Sequence, residues 1–462
     1  QLDTLKSKNI EAYESLKLSL IHLILGIGAE DIEGTQARIA DEFKGSDKDM
    51  VEALALVLST DALNHKKFNV VEGTHEGMTV MGMTASTGCN TVYGSTHPSN
   101  PHKYPWMNSL FQDGTTIGWL VAESFIMDHS RRSVVPERLA GHLLNLDESF
   151  SRRNYELYTH FDDNHMTELE ISELPKLWVI GGDGAIGDIG YQNLSKVVLQ
   201  NRPNINILML DTQVYSNTGG QNSDSSFMPG GFDMNQFFNK HHQGKLTERK
   251  EVALTLTSGH GSPYVASVSM ASTAKFFKAV LDGITYRGTA YLQSFTTCQP
   301  EHGVGDDVAM TQALKARDSR TVPEFTFDPR LGELDSQAMS VKGNPTPKED
   351  WMSKKDKDGN PYDFTTIQWA ATEGRFRKHF MKIKPEEEVV SDTEIFKNVS
   401  QTDITLRNYL NKDHSAYVPL EGIFSDVVND KGERKRMGIS RLLVLFALER
   451  RRNWRRLQDR VR

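Results

Sequence analysis

The chain has 462 residues, 38% of them apolar and 25% charged, with a formal net charge of −8. That length exceeds one ordinary core and predicts two or three domains or one large α/β domain. The acidic balance argues against a general nucleic-acid binder. No apolar run reaches membrane-spanning length and the N-terminus lacks a signal-peptide pattern, so a cytoplasmic protein is expected. Only two cysteines occur, Cys89 and Cys298, which fits a reducing compartment and excludes a disulfide scaffold. As residue types, such cysteines are most often small core residues. The first residue is Gln rather than Met, from which a processed or cut piece of a longer protein is expected.

Residues 1–77 read as a helical segment or insertion. Ile10, Tyr13, Leu16, Leu20, Leu23 and Ile24 recur at helical spacing until Gly26 and Gly28, and further helical pieces follow over 37–43 and 50–58. From Met78 to Ala85 the chain is short and apolar enough for a buried strand, and it runs into the polar turn Ser86-Thr87-Gly88-Cys89-Asn90. The loop after it is rich in Pro, Asn and His. His97 and His102 lie close in sequence, but no third nitrogen or sulfur ligand sits at a useful spacing, so zinc is not expected.

Asn108–Asp128 reads as a helix and 129–175 as surface helix and linker. Strands are expected over 177–181, 205–210, 264–270 and 289–295, with helices over 188–200 and 272–282 between them. This alternation predicts a doubly wound, mostly parallel α/β sheet over 78–305. The turns at 86–90, 182–185 and 211–221, and Cys298, each follow a strand. They are therefore expected along one edge of the sheet, where open α/β sheets bind ligands. Residues 222–250 read as a mobile loop over that edge.

Residues 306–430 read as an irregular and helical extension. It includes a turn at KKDKDGNPYD, which lacks the twelfth-position glutamate of a calcium loop, and a helix over 366–383. From Lys431 to Arg462 about a dozen basic residues face three acids, with an apolar stripe of Ile439, Leu442, Leu443, Phe446 and Trp454. This predicts a basic amphipathic helix, either between subunits or on an anionic surface.

The chemistry concentrates in Gly181–Gln221, GGDGAIGDIG through LDTQVYSNTGGQ. Asp183 and Thr212 stand one βαβ unit apart, about 30 residues. Asp183 supplies a carboxylate oxygen, Thr212 a hydroxyl and Val214 a backbone carbonyl, three hard oxygens of the kind Mg²⁺ takes while drawing its other ligands from phosphate and water. Gly182 and Gly184 allow close backbone approach to phosphate, and the following helix can turn its N-terminus toward the anion. GDG alone is a weak signal, because it also makes simple β-turns.

GDG followed by LDTQVYSNTGGQ resembles the thiamine diphosphate-binding domain of pyruvate:ferredoxin oxidoreductase and its 2-oxoacid:ferredoxin relatives. STGCNTVYGS, PWMNSLFQD and TTCQPEHG resemble further segments of that family, in the same order. The resemblance covers roughly 78–305 and implies the thiamine diphosphate-binding fold. It implies Mg²⁺ on Asp183, Thr212 and the Val214 carbonyl. It also implies a diphosphate and aminopyrimidine cradle from Gly182, Asp183, Gly184 and Ala185 and from Thr212, Gln213, Val214, Tyr215, Ser216 and Asn217. Asn217 would also face the 2-oxoacid, which makes it the implied catalytic residue. Cys89 would sit beside the thiamine and join Cys298 on a 4Fe–4S cluster. The implied reaction converts a 2-oxoacid, pyruvate foremost, and CoA to acyl-CoA and CO₂, with electrons leaving to ferredoxin or flavodoxin. The implied partners are other domains or subunits of the same enzyme, in a homo-oligomer.

The chain departs from the family in its cysteines. A 4Fe–4S cluster takes four thiolates and this chain has two; the family's upstream Cys-x-x-Cys pair is missing. Either the pair precedes Gln1, or a partner chain donates it, or the cluster is lost. The glutamate that activates thiamine also has no counterpart here and is expected from a separate domain. Two rival readings follow: a cluster-free thiamine diphosphate-dependent decarboxylase or transferase, and a non-catalytic scaffold that retains the fold.

Overall fold

Six short segments pair as strands: β1 (Met81–Ser86), β2 (Trp106–Leu110), β3 (Lys176–Gly182), β4 (Ile205–Asp211), β5 (Tyr264–Ser269) and β6 (Ala290–Phe295). The computed structural model describes residues 1–25, 43–68, 79–92, 104–231, 244–245, 247–382, 404–405 and 423–462. The six strands are parallel. With antiparallel β7 (Phe325–Phe327) and β8 (Met339–Ser340) they form one sheet in the order β2-β1-β3-β4-β6-β5-β7-β8. From β1 the chain steps one way to β2 and the other way to β3 and β4. The crevice beyond the carboxyl ends of β1 and β3 is therefore the topological switch point.

Strands covered on both faces must be apolar throughout, and alternate residues here enter two different cores. Leu177, Val179, Ile205, Ile207, Met209, Val265 and Tyr291 pack on one face with Leu194 and Val197 of the helix Tyr191–Gln200. Tyr264, Ala266, Val268, Ala290 and Leu292 pack on the other with Ala279 of the helix Thr273–Thr285. The mostly parallel, doubly wound α/β sheet is thus present. The helix Gly114–His129 seats closely on β1 and β3, since a Cβ on Gly118 would meet Val179 at 2.6 Å. A separate core joins the N-terminal helices Leu2–Lys8, Ile10–Leu25 and Asp47–Phe68 to the helix Val135–Leu144, through Leu5, Leu16, Leu20, Leu139 and Leu143.

Four readings from the sequence are corrected. The helix expected from Asn108 is strand β2 followed by the helix Gly114–His129, because Trp106 and Met107 pair with Met83 and Thr84. The stretch 129–175 is not linker. It holds a π-helical turn, Ser130–Val134, and helices Val135–Leu144, Arg152–Thr159 and Glu168–Ser172. The helix expected over 366–383 is a short helix, Thr366–Ala370, a 3-10 stretch, Gly374–His379, and a strand, Phe380–Lys382. The helix expected from Lys431 begins only at Arg441. Arg434–Ile439 is a strand paired antiparallel with Ile423–Val428, and Ser440 caps the helix Arg441–Arg460.

One face of that last helix is internal, while Arg441, Arg452, Arg455 and Arg456 on the other are exposed. Leu443, Phe446 and Trp454 are fully buried, and Arg450 is 1% exposed. KKDKDGNPYD forms the turn expected of it, between the antiparallel pair Met352–Lys355 and Pro361–Phe364. Among the described residues no helix is long and apolar enough to cross a membrane. Met78, the helical piece before Phe43, His97 and His102 lie outside the described residues, as do 232–243 and 246 of the expected loop.

Candidate functional site

The carboxyl ends of β1, β3 and β4 open into a cleft of about 280 Å³ lined by Cys89, Gly182, Asp183, Gly184, Ala185, Thr212, Val214, Tyr215, Ser216 and Asn217. Of the residues singled out from sequence, Gln213 and Cys298 do not line it. The Gln213 side chain is buried behind the cleft, where its Oε1 accepts from Arg375 at 2.8 Å.

Asp183 lies fully buried at the floor. Its Oδ1 accepts the Thr212 and Gln213 backbone N–H groups, both at 3.1 Å, and the Thr212 hydroxyl at 3.0 Å; its Oδ2 accepts the Ser223 hydroxyl. Two successive N–H groups on one oxygen form an anion-holding nest. The nest requires Gln213 to sit at φ +65°, a left-handed conformation that costs a non-glycine residue about 1–2 kcal/mol.

The Thr212 Oγ1 is also 3.0 Å from the Val214 carbonyl oxygen and accepts from the Ser216 hydroxyl at 3.0 Å. A hydroxyl carries one proton, so it can donate to Asp183 or to Val214 but not to both. The other contact is oxygen against oxygen. In octahedral coordination at about 2.1 Å, neighbouring ligand oxygens stand about 3.0 Å apart, which is the spacing of the Thr212 hydroxyl from both Asp183 and Val214. Carboxylate, hydroxyl and carbonyl oxygens also suit Mg²⁺ chemically, so the residues fit the ion. Burial, with the negative Asp211 adding to it, pushes the Asp183 carboxyl up to about 7. A bound cation would oppose that shift.

Around this floor the backbone is held by side chains. Asp211 pairs with the buried Arg249 and accepts from Gln293 at 2.8 Å, while Arg249 donates to the Ser225 carbonyl at 2.6 Å. Gly184–Asp188 forms a π-helical turn, and Tyr215 lies over its start: a Cβ on Gly184 would meet the ring at 2.3 Å. The Tyr215 hydroxyl donates to Asp188 at 2.6 Å, and burial together with that carboxylate raises its pKa.

The Cys89 thiol donates to Asn217 Oδ1 at 3.4 Å. Burial pushes the Cys89 thiol up, and the neighbouring Cys298 and Glu301 add to the shift, so both cysteines share one neighbourhood at the sheet edge. Among the described residues no group of three or more His, Cys, Asp or Glu side chains is placed to hold a metal.

Ser223, Arg249, His302 and Arg375 complete the surroundings of the clamp and were not singled out from sequence. Each is an ordinary polar residue whose partner lies far along the chain. The nearest signals are the SDSS run that contains Ser223 and the TTCQPEHG segment that contains His302.

Fold and cleft define an α/β domain of the kind that takes its ligand outside the carboxyl ends of its strands. The homologues of this chain are pyruvate:ferredoxin and pyruvate–flavodoxin oxidoreductases. The Moorella thermoacetica pyruvate:ferredoxin oxidoreductase is 29% identical over 54% of this chain and 24% of its own length. The Rhodospirillum rubrum pyruvate-flavodoxin oxidoreductase is 27% identical over 62% of this chain and 26% of its own length. The chain thus spans about a quarter of the length of these curated relatives. A 2-oxoglutarate:ferredoxin oxidoreductase from Magnetococcus marinus matches structurally at a TM-score of 0.33 and 13% identity, over 57% of this chain and 67% of that one. No family model matches.

Proposed function

We propose that the cleft holds thiamine diphosphate through Mg²⁺, and that the chain is the thiamine-binding part of a 2-oxoacid:ferredoxin-type oxidoreductase acting on pyruvate. The observation that carries this reading is the 3.0 Å chain of oxygens from Asp183 through Thr212 to Val214, at the floor of the switch-point cleft. These three residues would ligate the ion. The names of the relatives support the substrate and the electron acceptor, ferredoxin or flavodoxin.

When bound, thiamine diphosphate supplies the nucleophilic carbon and the electron sink that let a 2-oxoacid lose CO₂. The chain's own residues do the holding. Gly182, Gly184 and Ala185 bring backbone close to the diphosphate; Ser216 and Asn217 offer polar groups on the opposite wall. Asn217, fixed against Cys89, is the residue we assign to face the 2-oxoacid. The activating glutamate that the family resemblance implies would come from outside this chain, which spans about a quarter of its relatives' length.

The two thiols do not fit a complete 4Fe–4S cluster, which takes four. Cys89 and Cys298 would supply half the ligands, and we assign no step to a cluster. The same count favours the cluster-free thiamine decarboxylase or transferase as a second reading. Iron analysis of the anaerobically purified assembly separates the two: iron in stoichiometric amount supports the oxidoreductase, and its absence supports the alternative.

Calorimetry with thiamine diphosphate and Mg²⁺ tests the cofactor reading itself. Binding should require both components and should vanish in Asp183→Ala with the fold retained. Unaltered binding by that variant would refute the assignment, and no binding by the wild-type assembly would favour the scaffold reading.

A further inference from the structure

We infer that His302 is a positioning residue: it locks the Thr212–Gln213 peptide in the one orientation that builds the metal clamp. This rests on the Mg²⁺–diphosphate reading above. The clamp contains a conformational liability, because Gln213 is a non-glycine residue at φ +65°. Rotation of the preceding peptide would exchange the ψ of Thr212 against the φ of Gln213 and return Gln213 to ordinary backbone space. The same rotation would withdraw the Gln213 N–H from Asp183 and turn the Thr212 carbonyl toward that carboxylate in its place. The nest would be dismantled while the chain path stayed almost unchanged.

His302 opposes that rotation. The Thr212 carbonyl points away from the cleft into the interior, where it contacts His302 Nε2 at 2.7 Å. A carbonyl only accepts, so Nε2 carries the proton. Thr212 is 4% exposed and His302 0%. Without this donor the carbonyl would be a buried, unpaired acceptor, and the peptide would be held only through the Gln213 N–H bond to Asp183. The flanking groups are tied by other bonds: the Gln213 carbonyl accepts from the Ser226 hydroxyl, and its side chain accepts from Arg375 at 2.8 Å. The Thr212–Gln213 peptide itself is held by His302 on its carbonyl side and by Asp183 on its N–H side.

The fold places the ring deliberately. His302 ends the short helix Gln299–His302, which closes on left-handed Gly303. Gly303 and Gly374 meet back to back: a Cβ on either would lie 2.9 or 3.0 Å from the other's backbone, and the Gly374 N–H donates to the Gly303 carbonyl at 3.2 Å. That approach sets Glu373 beside the ring, its Oε1 3.9 Å from His302 Nδ1, and Arg375 bonds Glu373 at 2.7 Å. One buried cluster thus holds both the ring that fixes the peptide and the side chain of the strained residue.

The test compares wild type, His302→Phe and His302→Gln in the full chain by crystal structure and by Mn²⁺ binding in the presence of thiamine diphosphate. In His302→Phe the Thr212–Gln213 peptide should be turned and Gln213 should have negative φ. Mn²⁺ should bind about 10–100-fold more weakly, as for the loss of a group that orients a ligand, while the melting temperature stays near that of wild type. His302→Gln, whose amide nitrogen can still donate, should restore peptide and affinity. A His302→Phe structure with Gln213 still at positive φ overturns the lock, and a lowered melting temperature with that geometry assigns His302 to packing instead. If the Phe variant does not fold, His302→Asn, too short to reach the carbonyl, gives the same comparison. A wild type that takes up no Mn²⁺ with thiamine diphosphate refutes the cofactor reading, and the peptide orientation in the variants still decides the lock.

Discussion

Two carboxylates stand side by side at the ends of neighbouring strands and live in opposite electrostatic settings. Asp211, the last residue of β4, and Asp183, the residue after β3, are both 0% exposed. Asp211 is paired with the guanidinium of Arg249 and accepts a further bond from Gln293. Asp183 has only neutral donors: two backbone N–H groups and the hydroxyls of Thr212 and Ser223. A buried charge is costly unless it is paired. Asp211 is therefore structural, held by a cation the chain supplies, whereas Asp183 is bonded only by neutral groups, as the proposed Mg²⁺ reading requires of its carboxylate ligand.

The largest expected effect comes from removing the compensation. Arg249→Met leaves Asp211 buried and unpaired and should cost about 3–5 kcal/mol in urea unfolding. Asp183→Asn, by contrast, should leave the ligand-free protein at pH 8 no less stable than wild type. Similar losses in the two variants would erase the distinction between the carboxylates.

A smaller effect is expected from Gly184→Ala, which perturbs only the Asp183 side. The new methyl would meet the Tyr215 ring at 2.3 Å and displace it from Asp188. Overpacking of this kind costs about 1–3 kcal/mol, read as a lowered melting temperature. An unchanged melting temperature would mean that the ring is not seated on the turn.

A pH dependence reads the charge on Asp183 directly. Its carboxyl is raised from an ordinary 3.8 to about 7 in the fold. The folded chain therefore keeps a proton that the unfolded chain releases. That contribution to stability is fully present at low pH and is lost as pH rises through about 7. Metal binding must displace the proton, so below about pH 7 the Mg²⁺ affinity should fall by up to about tenfold per pH unit. Calorimetry in buffers of different ionisation heat should show proton release on binding at pH 6. An affinity that does not change from pH 5 to 8 would show Asp183 already ionised and would sink the contrast with Asp211.

Much of the sheet was legible because strands buried on both faces leave an uninterrupted apolar signature. β3, β4, β5 and β6 fall within a residue or two of where Leu177, Ile205, Tyr264 and Thr289 announce them. β2 was not legible. Trp106–Leu110 is short, and Asn108 and Ser109 interrupt its apolar run, so only pairing with β1 makes it a strand. The last helix was misread for a different reason. A run of arginines reads as a solvated face, yet Arg450 is 1% exposed because Glu251 and Glu449 neutralise it.

By itself the sequence marked strands β1, β3, β4, β5 and β6 with the turns after them, and singled out Asp183, Thr212 and Val214, because periodicity and short-range spacing are local properties of the chain. Tertiary structure alone decided which carboxylate would be compensated, which peptide would be strained and what would hold it. Arg249, Ser223, His302 and Arg375 reach the clamp from distant segments. Their roles depend on desolvation and on one-to-one hydrogen bonding, which exist only after the chain has folded around them.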